Sequence, residues 1–297
     1  MLKYAYYPGC AMDTTGATYR MSIEYVCTKI GLELIEIPDS NCCGATSAHS
    51  KGKWLGLALP ARNLALAEEQ LPGLDICIAC AACYSRMLIS TNAIRNSQET
   101  KEKLAYMVGM PVEGKADIVT LMDVLCTDEG LEAVKKAIVR PLTGFKVACY
   151  YGCLTSRPQK EIGTANIENP MKMDQLVALT GAEPVAWDFK TECCGASHQV
   201  DIPNEARPLI ERILRNAKGS GAKAVVTACP LCNMNLDMRE EEINMAMGTA
   251  FDLPIYQFTQ ILAISMGASA AEIGLDKHFY PAFSRINDAL RKAAMQK

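Results

Sequence analysis

The sequence predicts two similar α/β domains, each built on a doubly wound parallel sheet covered by helices. One observation behind this fold class is a cysteine pattern that occurs twice. The other is the alternation of strand-like and helix-like segments in both halves. The chain has 297 residues, enough for two ordinary domains, and its 49% hydrophobic residues can supply two cores.

The repeated pattern is a single cysteine, then an adjacent pair, then two cysteines separated by two residues. Flanking residues repeat with it, including Gly9 before the first cysteine and Gly152 before its counterpart. Because the repeat is far longer than a solenoid unit, it indicates whole domains. We therefore expect one domain over residues 1–142 and a second over 143–297. The first set is Cys10, Cys42, Cys43, Cys80 and Cys83, and the second is Cys153, Cys193, Cys194, Cys229 and Cys232.

Each half is expected to alternate strands and helices. Apolar runs rich in β-branched and aromatic residues indicate the strands, and apolar residues at three- and four-residue spacing indicate the helices. The first half predicts strand Lys3–Tyr7, helix Ala17–Ile30, strand Leu32–Ile37, helix Trp54–Glu69 and strand Leu74–Ala79. The second half predicts strand Phe145–Cys149, helix Lys172–Leu179, strand Pro184–Phe189, helix Ala206–Lys218 and strand Ala222–Ala228.

All ten patterned cysteines follow predicted strands. Ligands of parallel α/β sheets bind beyond the carboxyl ends of the strands, so three strand ends should bring each set together. Neighbouring strand residues face opposite ways, and the chain must therefore bend at each Cys-Cys pair, where Gly44 and Gly195 permit it. Cys80 and Cys229 open helices, whose free N–H groups and positive dipole ends favour thiolates.

Each half thus offers five thiolates, whereas a tetrahedral zinc site takes four. A multinuclear iron–sulfur cluster can use a fifth cysteine, although ordinary clusters use four. The alternatives are a four-cysteine zinc site with a spare thiol in each half, or a disulfide scaffold. Four cysteines outside the pattern fit strand or helix positions and are expected to be buried thiols: Cys27, Cys77, Cys126 and Cys149.

Charge and apolar patterning exclude other classes. The net charge of −3 does not suit a nucleic-acid-binding protein, which needs a basic surface. The start of the chain shows no signal peptide, so we expect a cytoplasmic protein with reduced cysteines. The uncharged stretch Leu253–Ala271 contains polar residues and helical spacing. It predicts a short amphipathic or buried helix, not a membrane span.

Two histidines are candidate proton donors, because His49 and His198 each follow a Cys-Cys-Gly stretch and histidine titrates near neutral pH. His198 is the candidate catalytic residue, and a surface or hydrogen-bonding histidine is the alternative. The acidic run Glu240-Glu241-Glu242 is expected to be solvated helix surface. Basic residues near the predicted sites could bind an anionic thiol compound, offset cluster charge or be solvated: Lys51, Lys53, Arg62, Arg157 and Lys160.

The ten-cysteine pattern resembles the cysteine-rich CCG domain, and its tandem copy resembles the B-type subunit of heterodisulfide reductase. The likeness covers essentially the whole chain. It includes Tyr6-Tyr7-Pro8-Gly9-Cys10, Ala61-Arg62-Asn63-Leu64, Tyr151-Gly152-Cys153 and Ala228-Cys229-Pro230-Leu231-Cys232. The resemblance implies two noncubane 4Fe–4S clusters at the carboxyl ends of the strands, each held by the five motif cysteines of its half.

The same resemblance implies a reaction and partners. In that family, electrons arrive through a small ferredoxin-like subunit with two cubane clusters, itself supplied by a flavin-containing subunit. In methanogenesis, the clusters reduce the mixed disulfide of coenzyme M and coenzyme B. We therefore expect an iron–sulfur subunit of a disulfide-reducing oxidoreductase complex. The first alternative is an electron-transfer or anchoring subunit of a succinate- or fumarate-linked complex without disulfide chemistry. The second is a zinc-stabilised binding module.

Overall fold

The computed structural model describes residues 2–45, 48–163, 166–198, 201–278 and Ile286. Eight strands in this part of the chain form two four-stranded sheets with parallel pairing throughout. The strands are β1 (Lys3–Tyr7), β2 (Glu33–Glu36), β3 (Ile76–Ile78), β4 (Ile118–Thr120), β5 (Lys146–Tyr150), β6 (Glu183–Pro184), β7 (Val225–Thr227) and β8 (Ile255–Gln257).

Helices connect the strands, as parallel pairing requires. In the first half they are α1 (Ala17–Ile30), α2 (Ala48–Lys51), α3 (Lys53–Gln70), α4 (Ala81–Asn96), α5 (Gln98–Val108), α6 (Leu121–Leu125) and α7 (Asp128–Ala137). In the second half they are α8 (Gln159–Ile162), α9 (Lys172–Leu179), α10 (Pro203–Gly219), α11 (Pro230–Met247) and α12 (Phe258–Ser265). Two short 3-10 helices span Ala196–His198 and Leu275–Lys277.

The two sheets have the same strand order, which confirms the predicted duplicated α/β fold. The orders are β2-β1-β3-β4 and β6-β5-β7-β8. Their central strands also pair in the same register, with Ala5 opposite Ile76 in one sheet and Ala148 opposite Val225 in the other. Because β3 and β7 lie inside their sheets, their side chains are buried, as fully buried parallel strands require.

Two features of the sheets differ from the sequence expectation. The fourth strands, β4 and β8, were not predicted, because three residues are too short to show a period-two pattern. The strand expected over 184–189 is instead β6, which covers only Glu183 and Pro184. Beyond it, the Val185 N–H donates to the carbonyl of Val147 at 2.9 Å before the chain leaves the sheet.

The chain divides into two compact units, and each takes in a segment from the other half of the sequence. Unit 1 contains Met1–Cys10, Leu32–Val124 and Leu154–Ala165. Unit 2 contains Ala11–Gly31, Leu125–Cys153 and Asn166–Lys297. Helix α1 is therefore part of unit 2, and helix α8 is part of unit 1. The boundary between residues 142 and 143 stays a prediction drawn from the sequence repeat.

Within unit 2, α1 packs against α12 through apolar and hydroxyl groups. The rings of Tyr19 and Phe258 meet edge to face at 6.2 Å, and the hydroxyls of Ser22 and Thr259 share a 2.6 Å hydrogen bond. Every residue of α12 is buried, so the stretch Leu253–Ala271 does contain the short buried helix that was predicted. None of the described helices combines the length and apolar composition that a membrane crossing requires.

Candidate metal centres

The first cysteine set gathers at the carboxyl ends of β1, β2 and β3. Cys10 follows β1, the Cys-Cys pair follows β2, Cys80 precedes α4, and Cys83 lies in its first turn. Cys43, Cys80 and Cys83 are buried, whereas Cys10 and Cys42 are exposed. This arrangement presents a cluster of thiols that is closed by the core on one side and open on the other.

Sulfur and backbone contacts hold the first set together. The Sγ atoms of Cys43 and Cys83 lie 3.4 Å apart. The Gly44 N–H donates to the Sγ of Cys42 at 3.4 Å, and burial together with the neighbouring Cys42 raises the pKa of Cys10 to about 11. The Cys-Cys pair therefore turns both sulfurs toward neighbours within one site, as the bend at the following glycine allows.

Gly9 fits the close approach of backbone to sulfur. Its φ is +80°, and a Cβ at this position would lie 3.0 Å from the Sγ of Cys83. Any larger residue would meet both the strain of the left-handed region and a sulfur in its way. The glycine that precedes the first cysteine is thus explained by the geometry of the site.

The second set repeats this geometry in unit 2. The Sγ atoms of Cys194 and Cys232 lie 3.6 Å apart, and the Gly195 N–H donates to the Sγ of Cys193 at 3.3 Å. Gly152 has a φ of +70°, and a Cβ there would also lie 3.0 Å from a sulfur, the Sγ of Cys232. The buried members are Cys194, Cys229 and Cys232, while Cys193 is exposed and Cys153 is half-buried.

Two tyrosines that the sequence analysis did not single out brace these loops. The Tyr7 hydroxyl donates to the carbonyl of Asn41 at 2.8 Å, and the Tyr150 hydroxyl donates to the carbonyl of Glu192 at 2.6 Å. Each acceptor directly precedes a Cys-Cys pair. The tyrosines lie three residues before Cys10 and Cys153, so the repeat itself carried the signal for this role.

The crowded thiols do not share one acidity. Hydrogen bonding from Cys83 lowers the pKa of Cys43, and the same contact together with Cys80 raises the pKa of Cys83. In the second set, hydrogen bonding from Cys153 lowers the pKa of Cys193 to about 6. A thiol that keeps its proton can donate a hydrogen bond to a neighbouring sulfur and so stabilise that sulfur as a thiolate. The thiolate is the form of cysteine that ligates metal.

The cysteines outside the two sets divide into core thiols and one exception. Cys27, Cys77 and Cys149 are buried, as expected. Cys126 departs from the expected helical, buried position. It lies half-buried in the turn between α6 and α7, where its Sγ donates to the carbonyl of Lys172 at 3.4 Å. All fourteen cysteines lie among the described residues, and none of them forms a disulfide there.

A buried ion pair supports the second site and was missed by the sequence analysis. The Lys190 ammonium donates to Asp174 at 2.8 Å, with both side chains almost fully buried. The Tyr151 hydroxyl also donates to Asp174, at 2.6 Å. The carbonyl of Lys190 in turn accepts from the N–H of Tyr151 at 2.8 Å and from that of Gly152 at 3.2 Å. This network fixes the segment that presents Cys153.

The candidate proton donor His198 ends a 3-10 helix, and its side chain is 59% exposed. Its Nδ1 lies 3.9 Å from Asp201, and its charge contributes to the lowered pKa of Cys193. The structure therefore brings His198 near the second cysteine set, and its donor role stays a prediction.

A cavity of about 630 Å³ lies within unit 1, lined mainly by residues of α3, α4 and α8. Helix α4 forms one wall, with Arg86, whose charge contributes to the lowered pKa of Cys43. His49, Lys53 and Lys160 add basic groups, and the acidic Glu161 accepts from Asn92 at 2.9 Å. The charged groups that line the cavity are thus mainly basic. Arg62, by contrast, is engaged with Asp39 and Asn41 in the loop before Cys42.

The donor set fits a sulfur-ligated cluster better than an ordinary polar site. Each set supplies buried thiols within van der Waals contact, backbone N–H groups directed at sulfur, and a glycine that leaves room at the sulfur. Among the described residues, no group of three or more His, Cys, Asp or Glu side chains has the geometry to hold a single metal ion.

Comparisons with known proteins agree with the duplication. Residues 4–87 and 147–237 each match the family described as CCG, the cysteine-rich domain. The chain is 30% identical over 275 residues to the 8-methylmenaquinol:fumarate reductase membrane anchor subunit of Wolinella succinogenes, covering 92% of this chain and 95% of that protein. It is 29% identical over 286 residues to the B-type subunit of the Ferredoxin/F(420)H(2)-dependent CoB-CoM heterodisulfide reductase of Methanosarcina acetivorans, covering 94% of each.

Among solved structures, a hypothetical protein from Helicobacter pylori has a TM-score of 0.72 at 15% identity, with 95% of this chain covered. This chain spans about half, 52%, of that protein's length, and the likeness concerns the fold alone. The CCG matches include both cysteine sets, and the relatives at 30% and 29% identity extend over nearly the whole chain. The chain therefore belongs to the family of tandem cysteine-rich CCG domains that includes the B-type subunit of heterodisulfide reductase.

Proposed function

We propose that this chain is the iron–sulfur subunit of a heterodisulfide reductase-like complex and reduces a small-molecule disulfide at two noncubane 4Fe–4S clusters. The observation that carries the proposal is the double convergence of five cysteines from three strand ends, with sulfur pairs at 3.4 and 3.6 Å. Each five-cysteine set would hold one cluster, and bound clusters would supply electrons one at a time.

The reaction requires two electrons and two protons. The S–S bond of the substrate breaks, each sulfur gains one electron and one proton, and two thiols leave. We expect the electrons to come from a ferredoxin-like two-cluster subunit fed by a flavin-containing subunit. His198, exposed near the second set, is the candidate donor of a proton to a leaving thiolate.

The basic cavity favours disulfide reduction over electron transfer alone. Its volume is in the range of small-molecule sites, and its lining residue Arg86 also acts electrostatically on Cys43 of the first cysteine set. Arg86 and Lys160 suit a substrate that carries a carboxylate, sulfonate or phosphate group, since guanidinium and ammonium groups bind such anions. The mixed disulfide of coenzyme M and coenzyme B is one compound of this class.

A second candidate function is electron transfer or anchoring without disulfide chemistry. The Wolinella relative, named as the membrane anchor subunit of a fumarate reductase, favours it. The zinc-stabilised binding module remains the third alternative. Metal content separates the zinc alternative from the other two, and turnover separates the first two from each other.

The first experiment is metal analysis of protein purified anaerobically, with electron paramagnetic resonance (EPR) while disulfides are added. We expect several irons and several acid-labile sulfides per chain, and an EPR signal that changes when a substrate disulfide binds. About two zinc ions per chain without acid-labile sulfide would exclude the proposal.

The second experiment measures turnover of an anionic disulfide by the cluster-loaded chain with an artificial one-electron reductant. Arg86→Gln should raise KM for the anionic disulfide by about 10- to 100-fold, since a charged hydrogen bond contributes roughly 1.5–3 kcal/mol. Lys115→Gln, which removes an exposed cation away from the cavity, should leave KM unchanged. No turnover with clusters fully loaded would favour the electron-transfer alternative.

A further inference from the structure

One face of α11 carries hydrogen-bonding side chains from the second cysteine site toward the other end of the helix. The series begins at Cys229, the N-cap residue, and continues with Asn233, Asp237, Glu240 and Asn244. Spacings of three and four residues place all five on one helix face. Asn233, Asp237 and Glu240 are at most 7% exposed, and Asn244 is half-exposed. The stripe therefore runs along one face of α11 from the half-exposed Asn244 to Cys229 of the second cysteine set.

The position of Glu240 contradicts the sequence expectation for the acidic run. Glu241 is exposed, as expected, but Glu240 is 0% exposed. Its Oε1 accepts from the Leu253 N–H at 3.1 Å, while its Oε2 has no hydrogen-bond partner among the described residues. The Nδ2 of Asn233 is likewise buried and has no hydrogen-bond partner among the described residues. Buried polar atoms of this kind are rare and call for an explanation.

His278 extends the stripe across the core. The Gln260 amide is oriented by its Oε1, which accepts from the Gln257 N–H at 2.9 Å. Its Nε2 donates to the carbonyl of Ile273 at 3.2 Å and lies 2.9 Å from the His278 Nε2. Because an amide nitrogen only donates, the neutral imidazole carries its proton on Nδ1. That atom faces the Asp237 carboxylate at 3.7 Å and is buried.

The first half of the chain provides an internal comparison. At the equivalent positions, α4 follows Cys80 with Tyr84, Leu88, Thr91 and Arg95. No carboxyl group occurs among them, although α4 has the same place in its sheet and the same cysteine pattern. The fold therefore does not require buried acids on this helix, and the acids of α11 distinguish the second site from the first.

We infer that Asp237, Glu240 and His278 form a proton relay that serves the second cysteine site. Resting on the proposed function, the relay takes protons from solvent at the Asn244 end and holds them close to the site as electrons arrive. Each electron that enters the site then draws one proton into the relay, and the relay refills from solvent. The two electrons come from the partner subunit, and the two protons taken up from solvent balance them when the two thiols form.

The charges around the relay suit this role. Burial is the main reason that the pKa of Glu240 rises, to about 7, and the negative charge of Asp237 adds to the rise. Lys218 opposes it from α10, and Tyr256 faces Asp237 from β8, which leaves Glu240 able to exchange a proton at neutral pH. The strand β7 contributes no titratable side chain to this region. On α11 itself, Arg239 pairs with Glu242. On α10, Arg207 also pairs with Glu242, Arg215 pairs with Glu211, Arg212 lies over the Phe189 ring and Glu205 is exposed. His198 of the 3-10 helix lies 3.9 Å from Asp201.

The test is a redox titration of the second cluster in the full chain, followed by EPR between pH 6 and 9. A Cys43→Ala background removes the signal of the first site. If reduction draws one proton, the midpoint potential should fall by about 59 mV per pH unit near neutral pH, the value of a tenfold change in a one-electron equilibrium. Glu240→Gln and Asp237→Asn should flatten this slope. The matched control Glu241→Gln, on the same helix but exposed, should keep it.

A slope that persists unchanged in Glu240→Gln and Asp237→Asn overturns the relay, as does a flat slope in the parent. Thermal unfolding of each variant verifies that its fold is intact, and His278→Gln provides a third variant that adds no charge. The outcomes also separate the two proposals. Slopes that respond as expected, without turnover of any disulfide, would uphold the relay and reject disulfide reduction. Normal turnover of a disulfide, with the same slope of potential against pH in all variants, would uphold disulfide reduction and reject the relay.

Discussion

At the scale of single residues, the two sites depend on glycines that bring backbone against sulfur. Gly9 and Gly152 both have positive φ, and at both a Cβ would lie 3.0 Å from the sulfur of the last cysteine in the set. Because the same distance occurs at both positions, the close contact between the glycine backbone and the sulfur is a feature that the two sites share. A cluster held by these cysteines would be sensitive to a single methyl group there.

Gly9→Ala should prevent the first site from binding a cluster, while the chain still folds. The added Cβ must displace the Cys83 sulfur, in addition to the strain of about 1–2 kcal/mol that alanine meets at positive φ. Gly73→Ala is the matched control, since Gly73 has the same φ of +80° with open space around its Cβ position. Iron and sulfide per chain should fall by about half in Gly9→Ala and stay at the parent level in Gly73→Ala. Equal iron content in the two variants would contradict the steric argument.

Tyr150→Phe should loosen the loop before the second Cys-Cys pair. It removes the 2.6 Å hydrogen bond to the Glu192 carbonyl from a buried ring. A lost buried hydrogen bond costs about 1–3 kcal/mol when the acceptor finds no other donor. Anaerobic denaturant unfolding should show a loss of this size. Tyr106→Phe, whose parent side chain is 88% exposed, should show none. An unchanged stability in Tyr150→Phe would mean that water replaces the hydroxyl.

At the scale of secondary-structure elements, most of the sheet could be predicted from sequence. The long helices α1 and α3 and the strand β1 lie where periodicity placed them, because each has enough residues to show its period. The three-residue strands β4 and β8 do not, so their place in the sheet comes from tertiary packing alone. The cysteines lie at the predicted strand ends because all strands of a parallel sheet end at the same edge. Residues that follow those strands are therefore brought together there.

What sequence reasoning could not predict are contacts between distant polar residues. Lys190 and Asp174 are sixteen residues apart and belong to different elements, so no local pattern relates them. Glu240 was assigned to the surface because it lies in a charged run. Only the position of Leu253 and β8 over α11 shows that this one carboxyl group points into the core.

The buried pair ties α9 to the loop that presents Cys153, and breaking it from one side should be costly. Lys190→Met leaves a buried carboxylate without its cation and should lower the free energy of unfolding by about 3–5 kcal/mol. The double variant with Asp174→Leu should recover part of this loss. The exposed pair Lys3–Glu33 is the control, and Lys3→Met should cost about 0–1 kcal/mol. Strict additivity of the Lys190 and Asp174 effects in anaerobic denaturant unfolding would rule out a coupled pair.

At the scale of the whole molecule, the sequence repeat and the compact units do not coincide. The ten-cysteine duplication divides the chain near residue 142, but unit 2 includes α1 from the first half and unit 1 includes α8 from the second. The cysteine spacing could not predict this exchange, because α1 packs against α12 and α7, and that packing does not follow from where α1 lies in the repeat. The chain therefore passes from one unit to the other more than once.

Fragments made by cutting at the repeat boundary should therefore fail to fold independently. In fragment 1–142, α1 would lose α12 and expose Tyr19, Ile23 and Val26, which are at most 2% exposed in the full chain. Each such side chain contributes roughly 1.5–3 kcal/mol through burial. Together with the lost Ser22–Thr259 hydrogen bond, this approaches the whole stability of a small domain.

We expect fragments 1–142 and 143–297 to aggregate or unfold when produced alone, and to form a one-to-one complex when produced together. Size-exclusion chromatography and thermal unfolding by circular dichroism measure both outcomes. As a control, Tyr25→Ala alters a half-exposed position of α1 outside its buried face and should leave the complex intact, whereas Ile23→Asp should prevent it. A monomeric fragment 1–142 with a cooperative transition like that of the full chain would show that α1 does not need α12 in order to pack. The repeat boundary would then also be a true domain boundary.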